Sequence, residues 1–234
     1  MVSKFPKIFR SIGLMALFLA SSVALSADAF PGYSPDRNLI KTQQKVDKLF
    51  EKGNYERAML IYRDELAPLG DKFAQYMVGY MHYSGRGVPK DRVIACAWYW
   101  LAAERGDESF VKVRNALDGI LDDEQRSRAG RLYKELHSEM GDIVLITGLI
   151  KQDLKFLRQR RGDSALFGGD LERGNYGHNL SKYQAAADRL EERVFYLDQI
   201  IDEDQSASDD ELRKARSLVD NARREIDVFK ASIN

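Results

Sequence analysis

The sequence predicts an all-α protein: a short α-solenoid of antiparallel helix pairs followed by a C-terminal antiparallel helical hairpin. Three observations favour this fold. The dipeptide Gly-Asp recurs at Gly70, Gly106 and Gly141, at offsets of 36 and 35 residues, and a period in the mid-thirties is typical of two-helix repeats. Apolar residues between these glycines recur at helical spacing, and two heptad-patterned segments follow residue 180.

Residues 1–27 are predicted to be a signal peptide. Lys4, Lys7 and Arg10 precede a run of 14 uncharged residues from Ile12 to Leu25, and small residues follow that run. A bilayer span takes about 20 apolar residues, so we favour a cleaved leader over an uncleaved N-terminal anchor. We therefore expect export across the inner membrane to the periplasm, with no transmembrane span after the leader is removed.

The charge balance argues against nucleic acid as a partner. The chain has 36 basic and 36 acidic residues, and loss of the three cations in the leader leaves 33 basic residues, a net charge of about −3. Nucleic-acid-binding proteins present basic surfaces instead. Cys96 is the only cysteine, so an intramolecular disulfide is impossible and we expect a buried, unreactive thiol.

The repeat domain is predicted over residues 38–142. Its first pair joins a helix beginning near Lys41 to one beginning at Tyr55, with a break at Gly53-Asn54. The second pair joins a helix with an apolar stripe through Phe73 and Met77 to a helix beginning near Arg92.

The connection inside the second pair, Ser84-Gly-Arg-Gly-Val-Pro-Lys-Asp91, has the composition of a turn between helices. Gly85 and Gly87 can adopt positive φ, and Asp91 is suited to cap the following helix. A phosphate loop would also need a preceding apolar strand and a Lys-Ser/Thr pair, which are absent here.

One stretch of this domain carries a resemblance to a known family. Its matching positions are Ala74, Met77, Gly79, Met81, Tyr83, Gly85, Gly87, Val88, Asp91, Ala95, Trp98, Ala102, Ala103 and Gly106. Residues 73–107 thus closely resemble the Sel-one-like repeat, a relative of the tetratricopeptide repeat, whereas 41–71 and 108–141 lack the Gly-x-Gly-Val turn. The resemblance implies a superhelical scaffold that binds other proteins, often in bacterial export, envelope or signalling systems, and it implies no catalytic residues.

Five aromatic residues are the candidates for a partner-binding surface: Tyr76, Tyr80, Tyr83, Tyr99 and Trp100. Trp98 matches the core tryptophan of the repeat, and Trp100 points about 200° away from it on the helix. Trp100 therefore either packs on the neighbouring repeat or faces the groove. Because Trp and Tyr dominate binding hot spots, the groove is expected to hold a protein or peptide partner.

The second half of the chain is predicted in three parts. Residues 143–160 form a buried helix that closes the solenoid, because Ile143, Ile150 and Leu157 share one helical face. Residues 161–180 are rich in glycine without apolar periodicity, which indicates a loop or linker. Residues 181–234 form a coiled-coil-like hairpin that either packs on the solenoid or associates in trans as a homo-oligomer.

No catalytic, cofactor or metal motif is found, so the protein is predicted not to be an enzyme. His82, His137 and His178 are widely separated and lack metal-ligand spacing. The predicted function is that of a non-catalytic, exported interaction scaffold or adaptor of the bacterial cell envelope. The alternative is a structural, oligomerising envelope protein that acts through its hairpin, with the repeats as a spacer.

Overall fold

The computed structural model describes residues 37–166, 173–202 and 207–233, and it confirms the all-α prediction, since these residues contain helices and turns but no strand. The predicted signal peptide lies outside the described residues. Elements of the repeat region are α1 (Arg37–Glu51), α2 (Tyr55–Leu60, continued by a π-helical turn Ile61–Leu66 and a 3₁₀ turn Ala67–Leu69), α3 (Lys72–Ser84), α4 (Arg92–Ala102), α5 (Glu108–Asp118) and α6 (Asp123–Met140). The C-terminal elements are α7 (Asp142–Leu166), α8 (Arg173–Ile201) and α9 (Asp209–Ala231).

The turn between α3 and α4 has the geometry that its sequence predicts. Gly85 ends α3 in the left-handed conformation with φ of 75°, and its N–H donates to the Met81 carbonyl oxygen at 2.8 Å. Asp91 begins α4, because its side chain accepts hydrogen bonds from the N–H groups of Val93 at 2.8 Å and Ile94 at 3.0 Å. Both helix ends are thus determined by residues of the turn itself.

Small residues allow α3 and α4 to pack closely. A Cβ atom at Gly79 would lie 2.7 Å from the ring of Tyr99 and 3.2 Å from the carbonyl oxygen of Ala95. Any side chain at Gly79 would therefore separate the two helices. Trp98, also on α4, is buried in the core of the repeat region, as predicted.

The same turn joins the second helix pair to the first. Gly87 has a φ of 74°, and a Cβ atom there would lie 2.6 Å from the backbone carbonyl carbon of Tyr55, at the start of α2. The guanidinium of Arg86 lies over the rings of Phe50, Tyr55 and Tyr80, at 5.8, 5.2 and 5.5 Å from their centroids. This contact holds the repeat against its N-terminal neighbour.

The described helices enclose two hydrophobic cores. One lies among α1–α6, and the other lies among α7, α8 and α9. The helix predicted over 143–160 to close the solenoid belongs mainly to the second core, where Ile146 and Ile150 pack beside Leu190 and Leu197. The structure differs from the prediction because the apolar face of residues 143–160 indicates a buried helix but does not specify which helices cover it.

The hairpin helices pack on α7 and on each other within one chain. Their heptad positions are buried: Ala187, Leu190, Val194, Leu197, Ile201, Ala215, Val219, Ala222, Ile226 and Phe229. Ser208 caps α9 by accepting from the Glu211 N–H, while the Glu211 carboxylate accepts from the Ser208 N–H. The apolar seam that suggested association in trans is therefore occupied in cis.

The predicted loop over 161–180 is wrong for most of its length. Residues 161–166 continue α7 and residues 173–180 begin α8, while residues 167–172 lie outside the described part of the chain. Each glycine costs a helix about 1 kcal/mol, and extension from the packed segments of α7 and α8 outweighs that cost.

Two glycines with the same backbone conformation provide a matched test of the turn. Gly106 has a φ of 73° and nothing within 4 Å of an added Cβ, whereas Gly87 faces the Tyr55 backbone. Gly106→Ala should cost about 1–2 kcal/mol of unfolding free energy for its φ alone. Gly87→Ala should cost at least about 2 kcal/mol more, because backbone atoms must move apart. Guanidinium denaturation measures both, and equal costs would contradict the contact with Tyr55.

Cys96 should be unreactive in the folded protein. It is fully buried on α4, and burial raises the pKa of its thiol from 9.0 to about 12, which lowers the thiolate fraction about 1,000-fold near neutral pH. Iodoacetamide should alkylate it only after guanidinium unfolds the chain, as followed by mass spectrometry. In the unfolded chain the Cys96 thiol ionises at a lower pH than in the folded protein. The free energy of unfolding that this thiol contributes should therefore be lost as the pH rises from 9.0 to about 12. Native-state labelling at the rate of a free thiol would contradict the burial.

Candidate functional site

A groove of about 950 Å³ lies where the repeat region meets the C-terminal helices. One wall comes from the end of α4 and from α5 and α6, and the other comes from the start of α7 and from α8. The residues that line it are Trp100, Ala103, Glu104, Arg105, Gly106, Arg114, Asn115, Asp118, Tyr133, Asp142, Tyr196, Gln199 and Ile200. Most are polar, and the aromatic side chains among them are Trp100, Tyr133 and Tyr196.

Trp100 combines the two roles that the sequence leaves open. Its ring is half-buried and meets the ring of Tyr133 on α6 edge-to-face, with centroids 5.7 Å apart. Gly130 on α6 lies beside this ring, because a Cβ atom there would be in ordinary van der Waals contact with it, 3.6 Å from a ring carbon. Trp100 thus packs on the helix of the following pair and also forms part of the groove wall.

The structure corrects the prediction for three of the tyrosines. Tyr76, Tyr80 and Tyr99 are only 8%, 7% and 2% exposed and belong to the core of the repeat region. Tyr76 stacks on Tyr99 with ring centroids 5.4 Å apart, and it also contacts Phe110 on α5 at 5.4 Å. They are unavailable to a partner because the helices on either side cover them.

Tyr83 is half-buried at the end of α3 and does not line the groove. The ammonium of Lys90 lies 5.7 Å from its ring centroid, beside the turn. Of the five predicted binding residues, Trp100 alone lines the groove.

The floor of the groove is a buried ionic network centred on Lys72, which is 0% exposed. Its ammonium donates to a Glu104 carboxylate oxygen at 2.7 Å and to the Leu101 carbonyl oxygen at 3.0 Å. A carboxylate oxygen of Asp142 lies 3.0 Å from the same nitrogen. Three N–H groups therefore face three oxygens, which satisfies the buried cation.

Asp142, the first residue of α7, connects three parts of the fold. Arg105 donates to its two carboxylate oxygens at 2.8 and 3.2 Å and to the Gly70 carbonyl oxygen at 3.0 Å. The hydroxyl of Tyr196 on α8 donates to the same carboxylate at 3.1 Å. Together with Lys72 on α3, these contacts tie the C-terminal helices to the repeat.

The two carboxylates of the network have opposite pKa shifts. Burial raises the pKa of Glu104 above its usual value, and the attraction of Lys72 offsets only part of that rise. Burial also acts to raise the pKa of Asp142, but Lys72 and Arg105 outweigh it and lower that pKa overall. Asp142 is thus the more strongly stabilised anion because it faces two cations.

This network was not predicted from the sequence, although the third Gly-Asp dipeptide is a signal of it. The aspartates of the first two Gly-Asp dipeptides cap helices: Asp71 accepts from the Ala74 N–H at 2.9 Å, and Asp107 from the Ser109 N–H at 2.8 Å. The third aspartate, Asp142, lies inside the first turn of its helix and binds cations instead.

The described residues form an all-α fold whose helices pack in adjacent pairs, as in a helical solenoid. More narrowly, the Sel1 repeat family matches residues 72–107, so this segment, comprising α3, the turn and α4, is a Sel1 repeat, which confirms the resemblance. Sel1 repeats are generally protein–protein interaction modules. No curated protein and no solved structure matches the chain.

The described residues contain no group of three or more His, Cys, Asp or Glu side chains placed to hold a metal ion. None of the helices in the described ranges is long and apolar enough to cross a membrane.

Replacing Lys72 should destabilise the fold strongly. Lys72→Met leaves Asp142 paired with Arg105 but removes the ammonium that lies 2.7 Å from Glu104, and an uncompensated buried charge costs about 3–5 kcal/mol. Lys112→Met is the matched control, because Lys112 and Glu108 form an ion pair whose side chains are 69% and 82% exposed. The control should change unfolding free energy by less than about 1 kcal/mol.

Guanidinium denaturation followed by circular dichroism measures both variants. Adding Glu104→Gln to Lys72→Met should recover part of the loss, because it removes the buried carboxylate that has lost its ammonium partner. If Lys72→Met and Lys112→Met cost the same, the buried network does not hold the fold together.

Proposed function

We propose that this protein is a non-catalytic interaction scaffold, or adaptor, of the bacterial cell envelope. It binds a protein or peptide partner in the groove between the Sel1 repeat and the C-terminal helices. The observation that carries the proposal is the half-buried Trp100–Tyr133 pair in the wall of this groove, directly beside a repeat of an interaction family. The partner is a protein segment that covers these rings.

The chemistry of the groove supports a peptide as the ligand. Its volume of about 950 Å³ lies at the upper end of the range for ligand pockets. Aromatic side chains in the wall supply apolar area that a partner can cover, and such residues dominate the energy of binding. Arg114, Asn115 and Gln199 supply hydrogen-bonding groups along the lining, which suits the polar backbone of a peptide.

The ionic floor supports binding more than catalysis. Lys72 and Arg105 are each paired with carboxylates at hydrogen-bond distance, so their charges are already compensated within the protein. A nucleophile or general base would need a reactive group directed at a substrate. We therefore assign this network to holding the groove walls in place.

The envelope location is proposed from the sequence of the leader. Three cations precede the uncharged run Ile12–Leu25, and small residues follow it. This order is typical of a signal for export across the inner membrane. The mature protein would then act in the periplasm.

The alternative function, oligomerisation through the C-terminal hairpin, has weaker support. The apolar seams of α8 and α9 are buried against each other and against α7. Among the side chains of these two helices that the structure describes, the large apolar ones that stay exposed are Phe195 and Val228, at 64% and 46%. Two separate residues provide far less apolar area than a heptad seam, so the groove is the better supported binding surface.

Two exposed glutamines provide a matched test of the groove. Gln199 on α8 lines it, and Gln152 on α7 does not. A photo-crosslinking amino acid at position 199 should capture the partner in cells, and the same amino acid at position 152 should not. Equal cross-linking at both positions, or capture from 152 alone, would contradict the groove assignment.

Affinity for the captured partner should then depend on the aromatic pair. Trp100→Ala should weaken binding at least about tenfold, the loss typical of a hot-spot side chain. Gln199→Arg should do the same by filling the groove without removing buried contacts, and Gln152→Arg should leave the affinity unchanged. Isothermal titration calorimetry measures all three, and circular dichroism checks that Trp100→Ala stays folded.

A further inference from the structure

A row of lysines on α1 forms a second surface, separate from the groove. Lys41, Lys45, Lys48 and Lys52 are all exposed, and at 100° per residue they fall within about 60° of the helix circumference. The row is about 16 Å long at 1.5 Å per residue. Lys52 follows the last residue of α1, but its N–H still donates to the Lys48 carbonyl oxygen at 3.2 Å. We call these four residues the lysine stripe.

The lysine stripe faces away from the protein. Val46, the buried residue of α1, lies about 130° around the helix from the centre of the stripe. Within the described part of the chain, none of the four lysines forms an ion pair with a carboxylate of the protein. Asp47 and Glu51 lie on other faces of the helix, about 90° or more from the centre of the stripe. Four positive charges therefore share one solvent-facing strip.

We propose that the lysine stripe docks on the surface of an anionic phospholipid bilayer. The surface is convex and borders only a shallow depression, of about 310 Å³, so it fits a flat partner better than a threaded peptide. Four of the five cations on this face are lysines, and the fifth, exposed Arg37, lies one turn before Lys41 and about 50° from the centre of the stripe. Arginine is favoured where a fixed carboxylate or phosphate is bound in bidentate fashion, whereas lysine acts as a point charge that suits diffuse negative charge.

The test compares two variants with the same net charge in the full-length chain. The stripe variant carries Lys→Gln at 41, 45, 48 and 52. The scattered variant carries Lys→Gln at Lys112, Lys134, Lys182 and Lys214, which are exposed on four other helices. Binding is measured by co-sedimentation with mixed phosphatidylcholine–phosphatidylglycerol vesicles and with pure phosphatidylcholine vesicles. The readout is the preference for anionic lipid compared between the two variants, because both variants keep the same leader with its three cations.

The wild-type chain should prefer the anionic vesicles, and salt should weaken that preference. Each lysine near an anionic bilayer strengthens binding about fivefold, so loss of four lysines should weaken binding of the stripe variant about 600-fold, and binding of the scattered variant should weaken less than about threefold. Equal losses in both variants, or no lipid preference in the wild type, would overturn the proposal. Immobilised polyglutamate tests the other partner. If it retains the wild-type chain but not the stripe variant, and the wild type does not bind vesicles, the partner is an acidic protein and the proposal is overturned. The groove variant Gln199→Arg should bind vesicles as the wild type does, so the two proposals fail separately.

Discussion

The buried ammonium of Lys72 is the constraint on which the arrangement of the two helical units depends. A charge removed from water costs several kcal/mol unless it is paired and hydrogen-bonded. The oxygens around Lys72 come from Leu101 at the end of α4, from Glu104 just beyond it and from Asp142 at the start of α7. Satisfying one cation therefore requires α7 to begin beside the repeat, and the packing of α8 and α9 follows from the position of α7.

This network also explains why a groove forms at this junction. On the N-terminal side, Arg86 and the rings of Phe50, Tyr55 and Tyr80 fill the space between the helix pairs. On the C-terminal side, the ionic contacts fix the positions of the helices without filling the volume above them. A single well-formed repeat cannot bury both of its faces alone, and its two neighbours cover them by different chemistry.

The parts of the fold that could be predicted from the sequence are those set by local chemistry. Gly85 and Asp91 determine helix ends through their own backbone and side chain, so the turn follows from the residues themselves. The burial of Tyr76 and Tyr99 could not be predicted in this way, because it depends on which helix of another pair lies against them. A tyrosine has the same apolar ring and polar hydroxyl in a core and in a binding surface.

The ionic network shows the same limit within a repeated motif. Gly70 and Gly106 adopt φ of 77° and 73° and precede capping aspartates, whereas Gly141 adopts −68°. A Cβ atom at Gly141 would lie 2.6 Å from the His137 carbonyl oxygen, so this glycine serves close packing and not a left-handed turn. The third Gly-Asp has the spacing of a repeat and the role of a junction. The repeat period identifies the position of Asp142. Its role at the end of the repeat region and in the groove floor follows only from its contact with Lys72, a residue of the preceding unit.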